Sequence, residues 1–246
     1  MLLRACTSAR VRTVGVFSAA LLLATLGLDA CATKSASKSD KSLLVHPIPG
    51  RALAGMEGKD LVLTPLAFLR PGDKLGWVKA MKSPRDFLHL TDSLLEVSLK
   101  GRAYRVKWVF PEQLRRSADR SAGMIQDPDA LSEQQLLPGI WKPSNPLFDP
   151  LASQVRSVIS AQNSRYVLAP VELRFVSPLD ASGGAAPAPG TPPPPEVQLA
   201  VLRLALLDAQ GTLVVWAGDV TGDTARTAEA ATASLTTRLG DLLGTP

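Results

Sequence analysis

Apolar residues recur along the chain with two periods, which together predict alternating strands and helices. Every second residue is apolar over 104–110, which predicts a strand with Trp108 and Phe110 on one face. Over 85–100 the apolar spacing becomes helical, which predicts an amphipathic helix. The buried stripe of this helix is predicted to be Phe87, Leu90, Leu94 and Val97, widened by Leu88, Leu95 and Leu99.

The same patterns predict the remaining elements. Further strands are predicted at 59–66, 165–176, 197–207 and 212–221. Further helices are predicted at 111–120, from Asp127 to 137, after Pro150 and after Asp223. A turn at 208–211 joins the last two strands into an antiparallel hairpin. The chain is therefore predicted to have an α/β fold, a single mixed sheet of about five strands with helices packed on it.

Residues 177–196 interrupt this pattern with seven prolines and very few apolar side chains. A segment of this length and composition is not a normal connection between two strands. It is predicted to be a disordered loop within a single domain that spans residues 43–246. The alternative is a polyproline ligand for an aromatic groove on another protein.

The first 31 residues have the layout of a bacterial lipoprotein signal. Three arginines precede an uncharged run of 16 residues at 13–28, which ends in Leu28-Asp29-Ala30-Cys31. We predict a signal peptide at 1–30, acylation (palmitate) of Cys31 and a flexible polar tether at 31–42. Cleavage after Ala32, which would release a soluble protein, stays open. A membrane-spanning helix needs about 20 apolar residues, so it is the weaker interpretation.

The cysteines agree with lipidation. Cys6 leaves with the signal peptide, so Cys31 has no partner for a disulfide and no cysteine metal cluster is possible. By lipoprotein sorting rules, Ala32 directly after the lipidated cysteine indicates the outer membrane. The sequence thus predicts a lipid-anchored envelope protein that faces the periplasm.

The basic character of the chain comes from its N-terminal segments. The formal net charge is +5. Removing the three signal arginines and Asp29 leaves +3, and removing three tether lysines and Asp40 leaves +1. Because nucleic-acid binding depends on clustered positive charge, we expect no nucleic-acid partner.

Candidate chemistry is sparse, and none of the catalytic or nucleotide-binding motifs is present. His89, Asp92 and Glu96 fall on one predicted helix, either as metal ligands or as its solvated face. We favour the solvated face, and we predict no catalytic residue, no metal and no cofactor.

Two further groups are candidates for binding. Arg115, Arg116 and Arg120 are either an anion site or solvated charge, and we favour the latter. The candidate partner-binding residues are Trp141 and Phe148, which lie among prolines. Exposed aromatic side chains anchor interfaces, but we favour the alternative that both residues fold back to cover a sheet edge.

The segments WVFPEQLRR at 108–116 and DPLASQVRSVISAQNSRYVLAPVELRF at 149–175 resemble an uncharacterised bacterial envelope lipoprotein family. The order of elements is more loosely similar to the small α/β domains of curli-secretion-channel lipoproteins, Tol-system amino-terminal domains and penicillin-binding-protein activators. The resemblance implies a non-catalytic adaptor with an envelope protein or polymer as its partner. A periplasmic hydrolase with an unrecognised carboxylate or serine site is the alternative.

Overall fold

Five strands form one mixed sheet in the computed structural model, which describes residues 45–103, 105–121, 123, 125–137, 144–181 and 196–244. The strands are β1 (Asp60–Leu63), β2 (Lys107–Val109), β3 (Tyr166–Val176), β4 (Gln198–Asp208) and β5 (Leu213–Ala225). Their order across the sheet is β2-β1-β3-β4-β5. Strand β1 pairs in parallel with β2 and β3, whereas β3, β4 and β5 pair antiparallel. The predicted mixed sheet and its C-terminal hairpin are confirmed.

Helices cover both faces of the sheet. They are α1 (Trp77–Ala80), α2 (Pro84–Arg102), α3 (Pro111–Arg120), α4 (Leu151–Ser160), α5 (Pro178–Ala181) and α6 (Ala228–Gly244). Apolar side chains of α2 and α6 join the core on one face, and those of α3 and α4 join the core on the other. Two short 3-10 turns, Pro128–Ala130 and Glu133–Leu136, complete the second layer. All described residues belong to one compact unit.

Strand β1 marks the point where the chain changes face. Helix α2 connects β1 to β2 across one face, while α3 and α4 lead from β2 to β3 across the other. In open sheets with parallel strands, a crevice forms where one connecting helix packs on one face of the sheet and the next packs on the other. The crevice lies at the carboxyl ends of the strands at this point. This arrangement opens a crevice directly after Leu63, the last residue of β1.

A short segment at 45–48, here called the N-terminal strap, covers part of the free edge of β5. The main-chain N–H of Asp219 donates to the carbonyl of His46. A β-carbon at Gly218 would lie 2.9 Å from the Cα of Ile48, so only glycine permits this close approach. Because edge strands invite pairing with other chains, the strap protects β5 from unwanted association.

Helix α2 occupies the predicted range but buries a different face. Leu90 and Val97 are 47% and 71% exposed, contrary to the predicted stripe. The buried residues of the helix are Phe87, Thr91, Asp92, Leu95, Ser98 and Leu99. Polar side chains reach this buried face because they find partners there: Ser98 Oγ donates to the carbonyl of Thr236 on α6 at 2.6 Å.

The predicted helix from Asp127 to 137 is instead the pair of 3-10 turns. The Asp127 carboxylate accepts the N–H of Asp129 at 2.9 Å and starts the first turn. Leu131 then takes an extended conformation, with φ −70° and ψ 141°, which ends that turn after Ala130. Helical propensity in this short segment yields to the burial of Leu131 and Leu136 in the core.

Several predicted features lie outside the described residues. They include Cys31, the signal peptide, the tether, Trp141 and residues 182–195, which make up most of the predicted loop at 177–196. The first part of that loop, Pro178–Ala181, forms the helical turn α5. Across the described part of the chain, no helix combines the length and the apolar character needed to cross a membrane.

Candidate functional site

The crevice at the carboxyl end of β1 collects charged residues from three separate parts of the chain. Its cavity has a volume of about 310 Å³. We call it the β1 crevice, and its lining residues are Leu66, Ala67, Arg85, Leu88, His89, Asp92, Arg115, Asp127 and Asp129. Crevices at such switch points are where open α/β sheets usually bind ligands, so this is the first place to look for function.

Arg115 of α3 joins two carboxylates across the β1 crevice. Its Nη2 lies 2.7 Å from Asp92 Oδ2 and 2.8 Å from Asp129 Oδ1. Its Nε donates to both carboxylate oxygens of Asp129. Asp92 Oδ1 in turn accepts the N–H of Leu66 at 2.8 Å. Hydrogen bonds therefore reach every carboxylate oxygen of Asp92 and Asp129 from inside the protein.

The pKa values of Asp92 and Asp129 shift in opposite directions, although Arg115 donates hydrogen bonds to both carboxylates. Burial raises the pKa of Asp92, and the hydrogen bond from Arg115 only partly offsets this effect. Burial also raises the pKa of Asp129, but there the hydrogen bonds and charge of Arg115 outweigh it, so the net shift is downward. The contrast follows from depth, because the Asp92 side chain is 5% exposed and that of Asp129 is 26% exposed.

Glu133 is buried close to Asp92 and has unusual surroundings. The residue is 1% exposed, and neither carboxyl oxygen has a hydrogen-bond partner among the described residues. Burial, with a smaller contribution from the charge of Asp92, raises its pKa to about 8, although the nearby Thr64 hydroxyl favours the ionised form. At neutral pH Glu133 is therefore mostly protonated, which avoids placing a second buried negative charge beside Asp92.

The structure separates the predicted trio on α2. His89 and Asp92 both line the β1 crevice, but Glu96 pairs with Lys100 at 2.5 Å on the helix surface. Asp92 is buried and bound to Arg115, so the solvated-face interpretation is wrong for this residue. No group of three or more metal-binding side chains comes together within the described ranges.

The three arginines of α3 also lie in different surroundings. Arg115 turns into the β1 crevice, whereas Arg116 pairs with Glu112 at 3.0 Å and is mostly exposed. The Nε of Arg120 donates to the carbonyl of Arg116 at 3.1 Å. Arg116 and Arg120 line a separate cleft beside β2. They are solvated charge as predicted, and Arg115 is the exception because its partners come from distant segments.

Phe148 is exposed although its backbone is firmly held. Phe148 is 63% exposed, whereas the preceding Leu147 is buried. The N–H of Leu147 donates to the carbonyl of Thr212 at 2.8 Å, and the carbonyl of Phe148 accepts the N–H of Ala152 at 3.0 Å. Phe148 therefore does not fold back over the sheet edge. It is an aromatic side chain presented to solvent by a fixed loop.

A second charged cluster, missed by sequence reasoning, lies on the sheet itself. It consists of Glu172, Arg174, Arg203 and Asp219, and we call it the sheet network. Arg174 bridges Glu172 and Asp219 at 3.0 Å each, and Arg203 Nε lies 3.1 Å from Asp219. The only sequence signal was charge inside strands that are otherwise apolar on both faces, which requires internal partners.

The sheet network also holds the N-terminal strap. The Asp219 carboxylate accepts the main-chain N–H of His46 at 3.1 Å, in addition to its two arginines. Arg203 Nη1 donates to the carbonyl of Leu137 at 3.0 Å. Arg70 Nε donates to Glu172 Oε1 at 2.5 Å, so the network ties three segments of chain, at His46, Arg70 and Leu137, to the sheet, which is a structural role.

No family model and no curated protein matches the chain. Among solved structures it is loosely similar to the PelC dodecamer from Paraburkholderia phytofirmans, with 16% identity, coverage of 82% of this chain and 94% of that one, and a TM-score of 0.35. The LpoB C-terminal domain from Escherichia coli is 13% identical over 68% of this chain and 84% of that one, with a TM-score of 0.31. Lipoprotein GNA1162 from Neisseria meningitidis is 8% identical over 74% of this chain and 94% of that one, with a TM-score of 0.35. The similar structures thus include a bacterial lipoprotein.

Proposed function

We propose that this chain is a membrane-anchored, non-catalytic adaptor or binding module of the bacterial cell envelope. Acyl chains on Cys31 would hold it to a membrane, on the periplasmic side and at the outer membrane. Support comes from the signal-like segment at 1–30 and the polar tether at 31–42 that follows it. Its partner would be an envelope protein or polymer that the tethered domain reaches from the membrane.

The observation that carries the proposal is the fixed, exposed side chain of Phe148. Burying this exposed aromatic side chain against a partner would contribute about 1.5–3 kcal/mol. Main-chain hydrogen bonds on both sides fix this loop, so little ordering entropy is lost when a partner covers Phe148. Trp141, seven residues earlier in the same proline-rich region, is proposed to contribute to the same docking surface.

The β1 crevice supports binding better than hydrolysis. Its lining, taken from the described residues, contains no serine, threonine or cysteine that would serve as a nucleophile. Hydrolysis by two carboxylates requires one free base and one acid at the reacting bond. Asp92 and Asp129 do not provide them, because Arg115 donates hydrogen bonds to both.

Photocrosslinking tests the docking role of Phe148. Benzoylphenylalanine replaces Phe148 in one strain and Val97 in another, because Val97 is 71% exposed but lies on α2 on the other side of the sheet. We expect irradiation to shift the protein to a discrete higher-mass species for position 148 only. Equal crosslinking at both positions, or none at 148, would remove the main support for an adaptor.

Fractionation tests the anchor separately. Cys31→Ala removes the proposed acylation site and should move the protein from the membrane fraction to the soluble periplasmic fraction. Mass spectrometry of the wild-type N-terminal peptide should show an acylated Cys31. A mature N-terminus at Thr33, or an unchanged distribution of the variant, would contradict lipid anchoring.

A further inference from the structure

The β1 crevice contains hydrogen-bond donors that the protein itself does not use. Arg115 donates through Nε and Nη2, but its Nη1 has no partner among the described residues. The side chains of Arg85, an exposed residue, and His89 make no hydrogen bond or ion pair within the described part of the chain, yet both lie near Asp129. Three donor groups from α2 and α3 thus face one cavity.

The acceptors of the same crevice are almost all occupied. Leu66 and Arg115 donate to the two oxygens of Asp92, and Arg115 donates to both oxygens of Asp129. The Oδ1 of Asp127 accepts the N–H of Asp129. A bound molecule that supplies acceptors would therefore use the free donors of the crevice better than one that supplies donors.

We infer that the β1 crevice binds the terminal carboxylate of a peptide or polypeptide that ends in an apolar residue. The carboxylate would accept hydrogen bonds from Arg85, His89 and the free Nη1 of Arg115, which are charge-assisted contacts. The apolar side chain would lie against Leu66 and Leu88, which line the same cavity. A volume of about 310 Å³ accommodates one such residue.

The lining argues against two other ligand classes, polyanions and metal ions. Two arginines face three aspartates in the lining, so the crevice has no excess positive charge to attract a polyanion. A metal ion would have to compete with Arg115, which already donates hydrogen bonds to both Asp92 and Asp129. A single carboxylate matches the few free donors.

The test compares N-acetyl-leucine with N-acetyl-leucinamide on the full chain in detergent, by ligand-detected NMR titration. The two probes share the apolar side chain and differ only in the carboxylate. We expect millimolar binding of the acid, as is usual for so small a ligand, and binding of the amide at least about tenfold weaker. Arg85→Gln and His89→Gln should each weaken binding of the acid, whereas Arg116→Gln on the outer surface should not.

The outcomes separate the inference from simpler explanations. Equal affinity for acid and amide, no binding of the acid up to its solubility limit, or unchanged binding by both Arg85→Gln and His89→Gln would overturn it. N-acetyl-glutamate α-amide carries only a side-chain carboxylate; if it binds as tightly as N-acetyl-leucine, the assignment to a chain terminus is wrong. The inference does not depend on Phe148 or the lipid anchor, so its failure leaves the adaptor proposal intact.

Discussion

The β1 crevice and the sheet network are both built from arginines and carboxylates, but they use their charges differently. In the sheet network, the Arg174 and Arg203 side chains are 1% and 8% exposed, and the carboxylates between them are fully buried. In the β1 crevice, Arg115 is tied to two aspartates, but Arg85 and His89 have no described partner and face the cavity.

The difference teaches how to separate structural from functional charge in this fold. Buried ion pairs must satisfy nearly all of their hydrogen bonds internally, because an unpaired buried charge is very costly. The sheet network meets most of this demand, although Arg174 Nε has no partner among the described residues, and it secures the N-terminal strap through Asp219. Unused donors beside a cavity are tolerated only where water or a ligand reaches them, so the β1 crevice is the better candidate for binding.

The sheet network should give the largest loss of stability. Arg174→Met keeps the size of the side chain but leaves the buried carboxylates of Glu172 and Asp219 without their shared cation. We expect the free energy of unfolding to fall by about 3–5 kcal/mol, measured by urea denaturation. Arg238→Met, which breaks the exposed pair with Asp223, is the control and should change it by less than about 1 kcal/mol. Similar losses in the two variants would contradict a structural role for the network.

Neighbouring arginines of α3 provide the next comparison. Arg115→Met leaves Asp92 buried without its cation and should lower the free energy of unfolding by about 3 kcal/mol, since Arg115 is partly exposed. Arg116→Met removes only a surface pair with Glu112 and should have an effect below about 1 kcal/mol. Thermal or urea unfolding of the two variants checks this. If Arg115→Met is as stable as Arg116→Met, Arg115 does not stabilise the buried carboxylate of Asp92 in the β1 crevice.

Glu133, which is buried close to Asp92, makes the stability of the protein sensitive to pH. Burial raises its pKa from 4.5 to about 8, so its contribution to stability is fully present below pH 4.5 and is lost as the pH rises towards 8. Between pH 6 and pH 8 the wild-type protein should lose about 2–3 kcal/mol through this group, at about 1.4 kcal/mol per pH unit. Glu133→Gln removes the titration, so urea denaturation should show a smaller loss over that range.

The same variant has a built-in control. At pH 5 the wild-type carboxyl is neutral, so Glu133→Gln and the wild-type protein should have similar stability. A variant that is less stable than the wild type at pH 8 would show that the ionised carboxylate is accommodated, contrary to its lack of hydrogen-bond partners.

The smallest effect concerns the loop between β3 and β4. Replacing residues 182–195 with a short Gly/Ser linker tests whether the domain folds without them. Residues 182–195 carry little apolar surface to offset the roughly 1–2 kcal/mol needed to order the backbone of each residue. We expect the melting temperature to change by only a few degrees. A large loss of folded protein would show that the loop packs against the domain.

Periodicity was enough to predict the sheet, the hairpin and helix α2, because apolar spacing reports burial directly. It failed on the orientation of α2. Thr91, Asp92 and Ser98 are polar yet buried, and their partners lie on α3 and α6 or in their own helix backbone. Such partners depend on tertiary packing, which a local pattern does not report.

The β1 crevice was only half predictable. His89, Asp92 and Arg115 each attracted attention in the sequence, but as parts of two separate groups. Their meeting depends on β1 lying between α2 and α3, and on the loop that brings Asp129 to Arg115. Glu133 gave no signal at all, because nothing in its sequence neighbourhood distinguishes a buried glutamate from one on the surface of a polar turn.

Hydrogen exchange of the arginine Nε–H groups, measured by NMR without any ligand, tests the central contrast most directly. Arg203 Nε donates to buried Asp219, whereas Arg85 has no described partner. We predict that Arg85 exchanges at the rate of a free arginine and that Arg203 exchanges at least about tenfold more slowly. Protection of Arg85 equal to that of Arg203, or free exchange at both, would contradict the division between a binding crevice and a structural network.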